Sequence, residues 1–380
     1  MRKPPMRARM RSARGFSLVE LMVALAIGVI VVGGLVAVLM ANRQAFTIQQ
    51  GNNFNQENLR FASSRVAWSL RMADFWGGIK AGKITTTSNV SGLTGSGGCT
   101  AAWMVNVGPG ATENGIRGYN GADTFPIANC VPDANYVKRS DVVVVRYADT
   151  HGYDPAKGSG TTAFDSDAVP NRTTIFILSA IDQTGTIFRK GESVPTNPLG
   201  SASGRYVYPF QLEMYYLQPC SDPGADKVCG TSDDGDAGNP SPTLMRMRLD
   251  ANGSLVSEAV VDGIEQMQFE YAVPASITPT VPAKFVPASS VIDFNAITQV
   301  RVSLVARSST RDVRVPHPID VPLSSDCSYK IDNAGAISYP SLTSANNCDG
   351  SPPSNYGDKP QQYVRIFNSQ VVVLRNRVRG

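Results

Sequence analysis

Residues 18–41 read LVELMVALAIGVIVVGGLVAVLMA, 24 positions in which Glu20 is the only charge. At about 1.5 Å per residue a helix over this run is about 36 Å long, enough to cross a hydrocarbon core of about 30 Å. Arg2, Lys3, Arg7, Arg9, Arg11 and Arg14 precede it with no acidic residue among them. Such a cluster stays cytoplasmic, so the rest of the chain is expected outside. A secretory signal has a shorter apolar region and a small-residue cleavage site after it; here the run is longer and no A-x-A site follows. A carboxylate inside a spanning segment costs roughly 2.5–3.5 kcal/mol at the centre and usually has a partner. Glu20 therefore stands out from an ordinary anchor.

Outward from this run, composition narrows the possibilities. The chain has 380 residues, 42% hydrophobic and 17% charged, with 34 Gly and 25 Pro. That mix buries a core and turns often, which excludes wholesale disorder. Without the six leader cations, 29 basic face 31 acidic side chains. The basicity belongs to the leader, so nucleic acid is not an expected partner.

Beyond residue 41, no Pro occurs between Met6 and Gly108, and Phe54, Phe61, Trp68 and Phe75 recur every seven residues. Leu59, Ala62, Val66, Leu70 and Ala73 lie on neighbouring sides. The pattern predicts an amphipathic continuation of the helix, with the aromatic stripe packed in the core and a stop at Gly77-Gly78. Gly28, Gly33 and Gly34 allow close helix packing in the membrane. The texture then turns to short apolar runs between turn residues: 141–147, 174–180, 205–217, 243–249, 254–261, 264–273, 296–307 and 363–377. In 296–307 the alternation predicts a half-buried antiparallel strand. Long loops are expected at 274–295 and 311–362. The fold class is α+β: a long N-terminal spine helix, transmembrane in its first half, then an antiparallel β-sheet globular head. The expected divisions are 1–15 (leader), 16–41 (transmembrane half), 42–78 (amphipathic half) and 79–380 (head).

The string Arg14-Gly15-Phe16-Ser17-Leu18-Val19-Glu20-Leu21 resembles the type IV prepilin leader. The resemblance implies cleavage after Gly15 by a prepilin peptidase, N-methylation of the new terminus Phe16, and Glu20 at the fifth mature position as an assembly carboxylate. Residues 56–62 (QENLRFA), 70–77 (LRMADFWG), 255–271, 300–307 (VRVSLVAR) and 371–377 resemble PilW-type minor pilins in order and placement; 82–135 and 311–362 match poorly. PilW likeness implies partners: other minor pilins and the major pilin, a PilY-type tip adhesin and an inner-membrane assembly platform. It implies an inner-membrane, single-pass chain with a cytoplasmic N-terminus and periplasmic head, later at the pilus tip, serving twitching motility and adhesion. Two alternatives stand beside it: a J-type pseudopilin of type II secretion, and a pilus-borne adhesive binding module using the Cys-stapled loops.

Six cysteines follow the apolar run: Cys99, Cys130, Cys220, Cys229, Cys327 and Cys348. An oxidising periplasm makes them disulfide candidates, and the simplest of 15 pairings is sequential, 99–130, 220–229 and 327–348. Zinc is disfavoured, because there is no C-x₂-C pair and only His151 and His317. The loop CSDPGADKVCGTSDDGDAG carries Asp222, Asp226, Asp233, Asp234 and Asp236. Either it is a solvated acidic loop or its oxygens hold Ca²⁺, the one candidate cofactor; EF-hand spacing is not met. No Walker A loop, G-x-S-x-G elbow, H-E-x-x-H or dinucleotide fingerprint occurs, so no catalytic residue is named and no enzyme activity is expected. Arg301, Arg307, Arg311, Arg314, Arg375, Arg377 and Arg379 are read as cations on solvated sheet faces.

Overall fold

The computed structural model describes residues 15, 17–86, 92–111, 113–155, 174–195, 204–236, 238–273, 284–313, 315–325, 327–340 and 359–378. The chain divides into two compact units, Met1–Gln50 and Gly51–Gly380. One helix, α1 (Leu18–Met72, 55 residues), supplies the described structure of the first unit and the opening of the second. In the first unit its apolar side chains are exposed all round, as a membrane-spanning segment requires. Here the chain is an α+β protein: a long apolar N-terminal helix followed by a β-rich head.

In the second unit, the helix face that meets the head is not the aromatic stripe. Phe54, Phe61 and Trp68 are 53%, 51% and 44% exposed. The buried face is Asn55, Leu59, Ala62, Ser63, Val66, Ala67, Ser69 and Leu70. Small side chains won because they let the helix lie close to the sheets; Phe54, Phe61 and Trp68 hold the opposite side, while Phe75, past the helix end, packs against the core as expected. The approach is tightest at Gly51, where an added Cβ would sit 2.6 Å from Thr310 Oγ1. The helix ends at Met72, earlier than Gly77-Gly78, and Asp74 turns the chain with a φ of +62°.

The described residues of the head form three sheets. The largest holds β1 (Ile84–Thr86), β2 (Ile116–Tyr119), β3 (Val142–Ala148), β4 (Ile175–Ala180), β5 (Gly185–Arg189), β6 (Arg205–Gln218), β7 (Thr243–Leu249) and β8 (Leu255–Asp262). Its order is β1-β5-β4-β6-β3-β2, with β7 on the far stretch of β6 and β8 beside β7. All its ladders are antiparallel except β1–β5. The second sheet places β9 (Ile264–Val273), β10 (Lys284–Val286), β11 (Gln299–Arg311) and β15 (Tyr363–Val373) in the order β10-β9-β11-β15. A small third sheet joins β12 (Ile319–Pro322), β13 (Ser328–Ile331) and β14 (Ile337–Ser338). The expected loops 274–295 and 311–362 thus contain β10 and β12–β14, strands too short to show a pattern.

Alternation along β3 explains its unbroken valine run. Val143, Val145 and Tyr147 join the core under α1, while Val142, Val144 and Ala148 join a second core on the other face. A sheet covered on both faces reads as continuously apolar. The same reason corrects the half-buried reading of 296–307. Val300, Val302, Leu304 and Ala306 face the helix core, but Val305 packs with Leu323, Tyr329 and Ile331 of the third-sheet region.

The arginines read as solvated are largely not. Arg307 is 3% exposed, stacks 4.4 Å over Tyr363 and donates to the Pro240 carbonyl. Arg301 pairs with buried Glu270 at 2.8 Å, and Arg377 pairs with Asp74. Arg314 and Arg379 lie outside the described residues. Arg301, Arg307 and Arg377 are held by partners that sequence spacing does not reveal, while Arg375 is exposed as read.

Candidate functional site: the N-terminal assembly motif

Gly15 is exposed, and among the described residues nothing lies within 4 Å of a Cβ built on it. Phe16 lies outside the described residues. Ser17 precedes the first helical residue. Its hydroxyl accepts from Val19 N at 3.2 Å, and Glu20 Oε2 accepts from Ser17 N at 3.0 Å. This reciprocal pair is a capping box, which satisfies helix-start donors and places a carboxylate at the positive end of the macrodipole. The S-x-x-E spacing in Ser17–Glu20 is the sequence signal for it; the fold reading passed over that cue. The carboxylate is thereby turned toward the backbone of Ser17.

The second unit holds its length of helix through a buried polar hub. Glu213 on β6, 3% exposed, accepts from Arg65 at 2.6 Å, Ser69 Oγ at 2.5 Å, Tyr215 OH at 3.0 Å and Arg246 at 2.8 Å. Arg246 continues to Glu258, which also receives Arg248 at 3.1 Å. Two cations and two hydroxyls on one carboxylate offset its desolvation. Burial pushes the Tyr215 hydroxyl up, so it stays a donor.

The cysteines pair as Cys99–Cys130 and Cys220–Cys229, with Cα separations of 5.3 and 5.7 Å. Cys327 is disulfide-bonded, and Cys348 lies outside the described residues. Fully buried Arg146 anchors the loop that the first disulfide closes, donating to the carbonyls of Met104 (3.1 Å), Trp103 (2.8 Å) and Glu113 (3.2 Å). Burial lowers its guanidinium to about 10.

In the acidic loop, Asp236 Oδ2 accepts from Ser221 N, Ser221 Oγ and Ser241 N at 2.8–2.9 Å. Asp234 Oδ2 takes Gly230 N at 2.7 Å, and Asp233 Oδ2 takes Ala225 N at 2.8 Å. Asp226 and Asp222 cap Val228 N and Gly224 N. Ligand atoms of Asp234, Asp236 and Cys220 fall within 4.8 Å of one another, but Cys220 is in a disulfide and offers no thiolate. Among the described residues, two carboxylates lie this close, and one of them already accepts three bonds through one oxygen.

Two segments of the chain match known families. Residues 10–36 match the prokaryotic N-terminal methylation motif, and residues 230–376 match the family described as type IV pilus-assembly protein W. No match is found among curated proteins or among solved structures. Motif, apolar helix and β-rich head together define a prepilin-type, pilin-like protein. Within that class, the segment 230–376, which holds β7 through β15, is similar to the PilW family.

Proposed function

We propose that this chain is a minor pilin that primes assembly of a type IV pilus and sits at its tip. A prepilin peptidase cuts between Gly15 and Phe16, and the new amine is methylated. The Glu20 carboxylate then meets the N-terminal amine of a neighbouring subunit inside the fibre, a charge-assisted contact strengthened by a low dielectric. The subunit joins other minor pilins and the major pilin, works with the inner-membrane assembly platform, and presents a PilY-type tip adhesin for adhesion and twitching. It is a structural subunit and a substrate of the peptidase, not a catalyst.

The observation that carries this reading is the presence of both matches in one chain, the methylation motif at 10–36 and the PilW segment at 230–376. Geometry adds support. Gly15, Gly28, Gly33 and Gly34 meet no described neighbour within 4 Å, so intrachain packing does not demand them. Recognition by a peptidase and by other helices does. The PilW match favours the pilus over a secretion pseudopilus.

Deleting the gene and counting surface pili tests the proposal. Complementation with wild type restores pili and twitching; Gly15→Leu leaves an unprocessed, inactive chain, and Glu20→Ala is processed but fails in assembly. Full function of an unprocessed Gly15→Leu chain would overturn the reading.

A further inference from the structure

The second sheet ends in an open edge. Among the described residues β15 pairs on one side only, with β11, over Val373 to Arg365. Residues 366–373 read IFNSQVVV, eight positions without a charge. Asn368 and Gln370 turn toward the helix, where they donate to Ser63 Oγ and the Ser63 carbonyl at 3.0 and 2.9 Å. Ser369, Val371 and Val373 point the other way and are exposed, the valines by 48% and 43%. The nearest charge on the strand, Arg365, is spent on Glu265 in a bidentate pair buried at 1% and 0%.

Exposed edges are normally shortened, charged, bulged or covered, because unpaired N–H and C=O groups recruit another strand. The other edges among the described residues are treated in this way. β1 and β10 have three residues, β2 has four, and β12 ends in Pro322. β8 is as long as the open run of β15, but it carries Glu258 and Asp262, and its first residue is bonded by the Thr94 carbonyl at 3.0 Å. Among the described residues only the 366–373 run of β15 joins length, neutrality and a backbone edge without a strand partner.

We infer that the outer edge of β15 receives an extended, uncharged strand from the head of a different pilin-class subunit, enlarging the second sheet across the interface. This rests on the minor-pilin reading. The backbone groups require an extended main chain, since only that presents donors and acceptors at the strand repeat. The neutral run suits a neutral partner, because it offers a charged strand no opposite charge to pair with across the ladder. A second copy is not the occupant: β15 on β15 closes as a two-fold pair, whereas a fibre grows by contacts that do not close.

The test places a photo-crosslinking phenylalanine at Ser369 or Val371 of the full-length chain in piliated cells, with mass spectrometry of the products. The expected product joins position 369 or 371 to an uncharged strand of another chain that carries its own prepilin motif. Val371→Lys with Val373→Lys, both at solvent-facing positions, lowers the yield roughly tenfold while the amount of processed protein is unchanged. Absence of any cross-link at both positions, cross-linking only to a second copy, or cross-linking only to a protein without that motif overturns the inference. Failure of the minor-pilin reading registers separately, as Met1 retained in the same spectra, and removes the inference with it.

Discussion

The Asn376 carboxamide closes the C-terminal end of the long helix: its Nδ2 lies 3.0 Å from the Ala73 carbonyl, and 3.2 and 3.3 Å from those of Arg71 and Met72. Helix ends leave carbonyls unpartnered, and here a residue 303 positions away supplies the donor. Arg377 completes the clamp, pairing with Asp74 and donating to the carbonyls of Phe294 and Ile297. The closing run after β15 is thus α2 (Arg375–Val378), a turn of helix and not more strand.

Asn376→Ala should therefore unseat the helix end. The expected loss is about 1–2 kcal/mol, the range for a lost cap or buried hydrogen bond. Amide hydrogen exchange of residues 66–75 in the full-length protein should speed up while exchange in β3 stays protected.

Glu213 bonds two arginines and two hydroxyls at once, so its removal strands buried donors. Glu213→Ala should cost about 3–5 kcal/mol, as for a broken buried ion pair. Chemical denaturation of the full chain measures this, and a double-mutant cycle with Arg65 should show non-additivity because the two share the hub.

The helix faces give opposite predictions. Leu70→Ala, in the core, should cost about 2–5 kcal/mol. Phe61→Ala, on the exposed stripe, should stay within about 0.5 kcal/mol. Equal losses would mean the stripe is packed in the head after all.

Asp141 sets a pH dependence. It is buried, with Oδ1 accepting from Gly121 N and Oδ2 from Phe269 N, both at 2.8 Å. Burial, with a smaller push from Glu270, raises its carboxyl to about 7, against the pull of the two N–H donors. The folded state then binds a proton more tightly than the unfolded state, whose carboxyl titrates near 3.8. Stability from this group rises as pH falls through about 7 and levels off near pH 4, a change on the order of 2–4 kcal/mol. Asp141→Asn should flatten the melting temperature between pH 8 and 5.

Calorimetric titration of the full chain with calcium should give no site-specific heat, because among the described residues Asp234 and Asp236 alone bring carboxylate oxygens within 4.8 Å of one another and Cys220 beside them is in a disulfide. Asp236→Ala should instead expose that loop to protease cleavage, since three bonds vanish with one carboxylate.

Much of this could be read along the chain. The leader charges, Gly15, the glutamate at 20 and the apolar run are local features, and the strands at 243–249 and 264–273 coincide with β7 and β9. Short strands such as β10 and β14 escaped, because two or three residues hold no period. The aromatic stripe misled because period alone marks a helix face without saying whether it points in or out.

Sequence by itself determined a helix that must find an apolar solvent and a carboxylate placed near its start, since hydropathy and spacing are properties of neighbours along the chain. Only the tertiary structure decided which helix face is covered, which arginines find acids, and that Asn376 caps a turn formed 303 residues earlier. Those outcomes depend on atoms brought together from distant segments, where close packing and the cost of an unpaired buried charge choose among faces and partners that local sequence leaves equivalent.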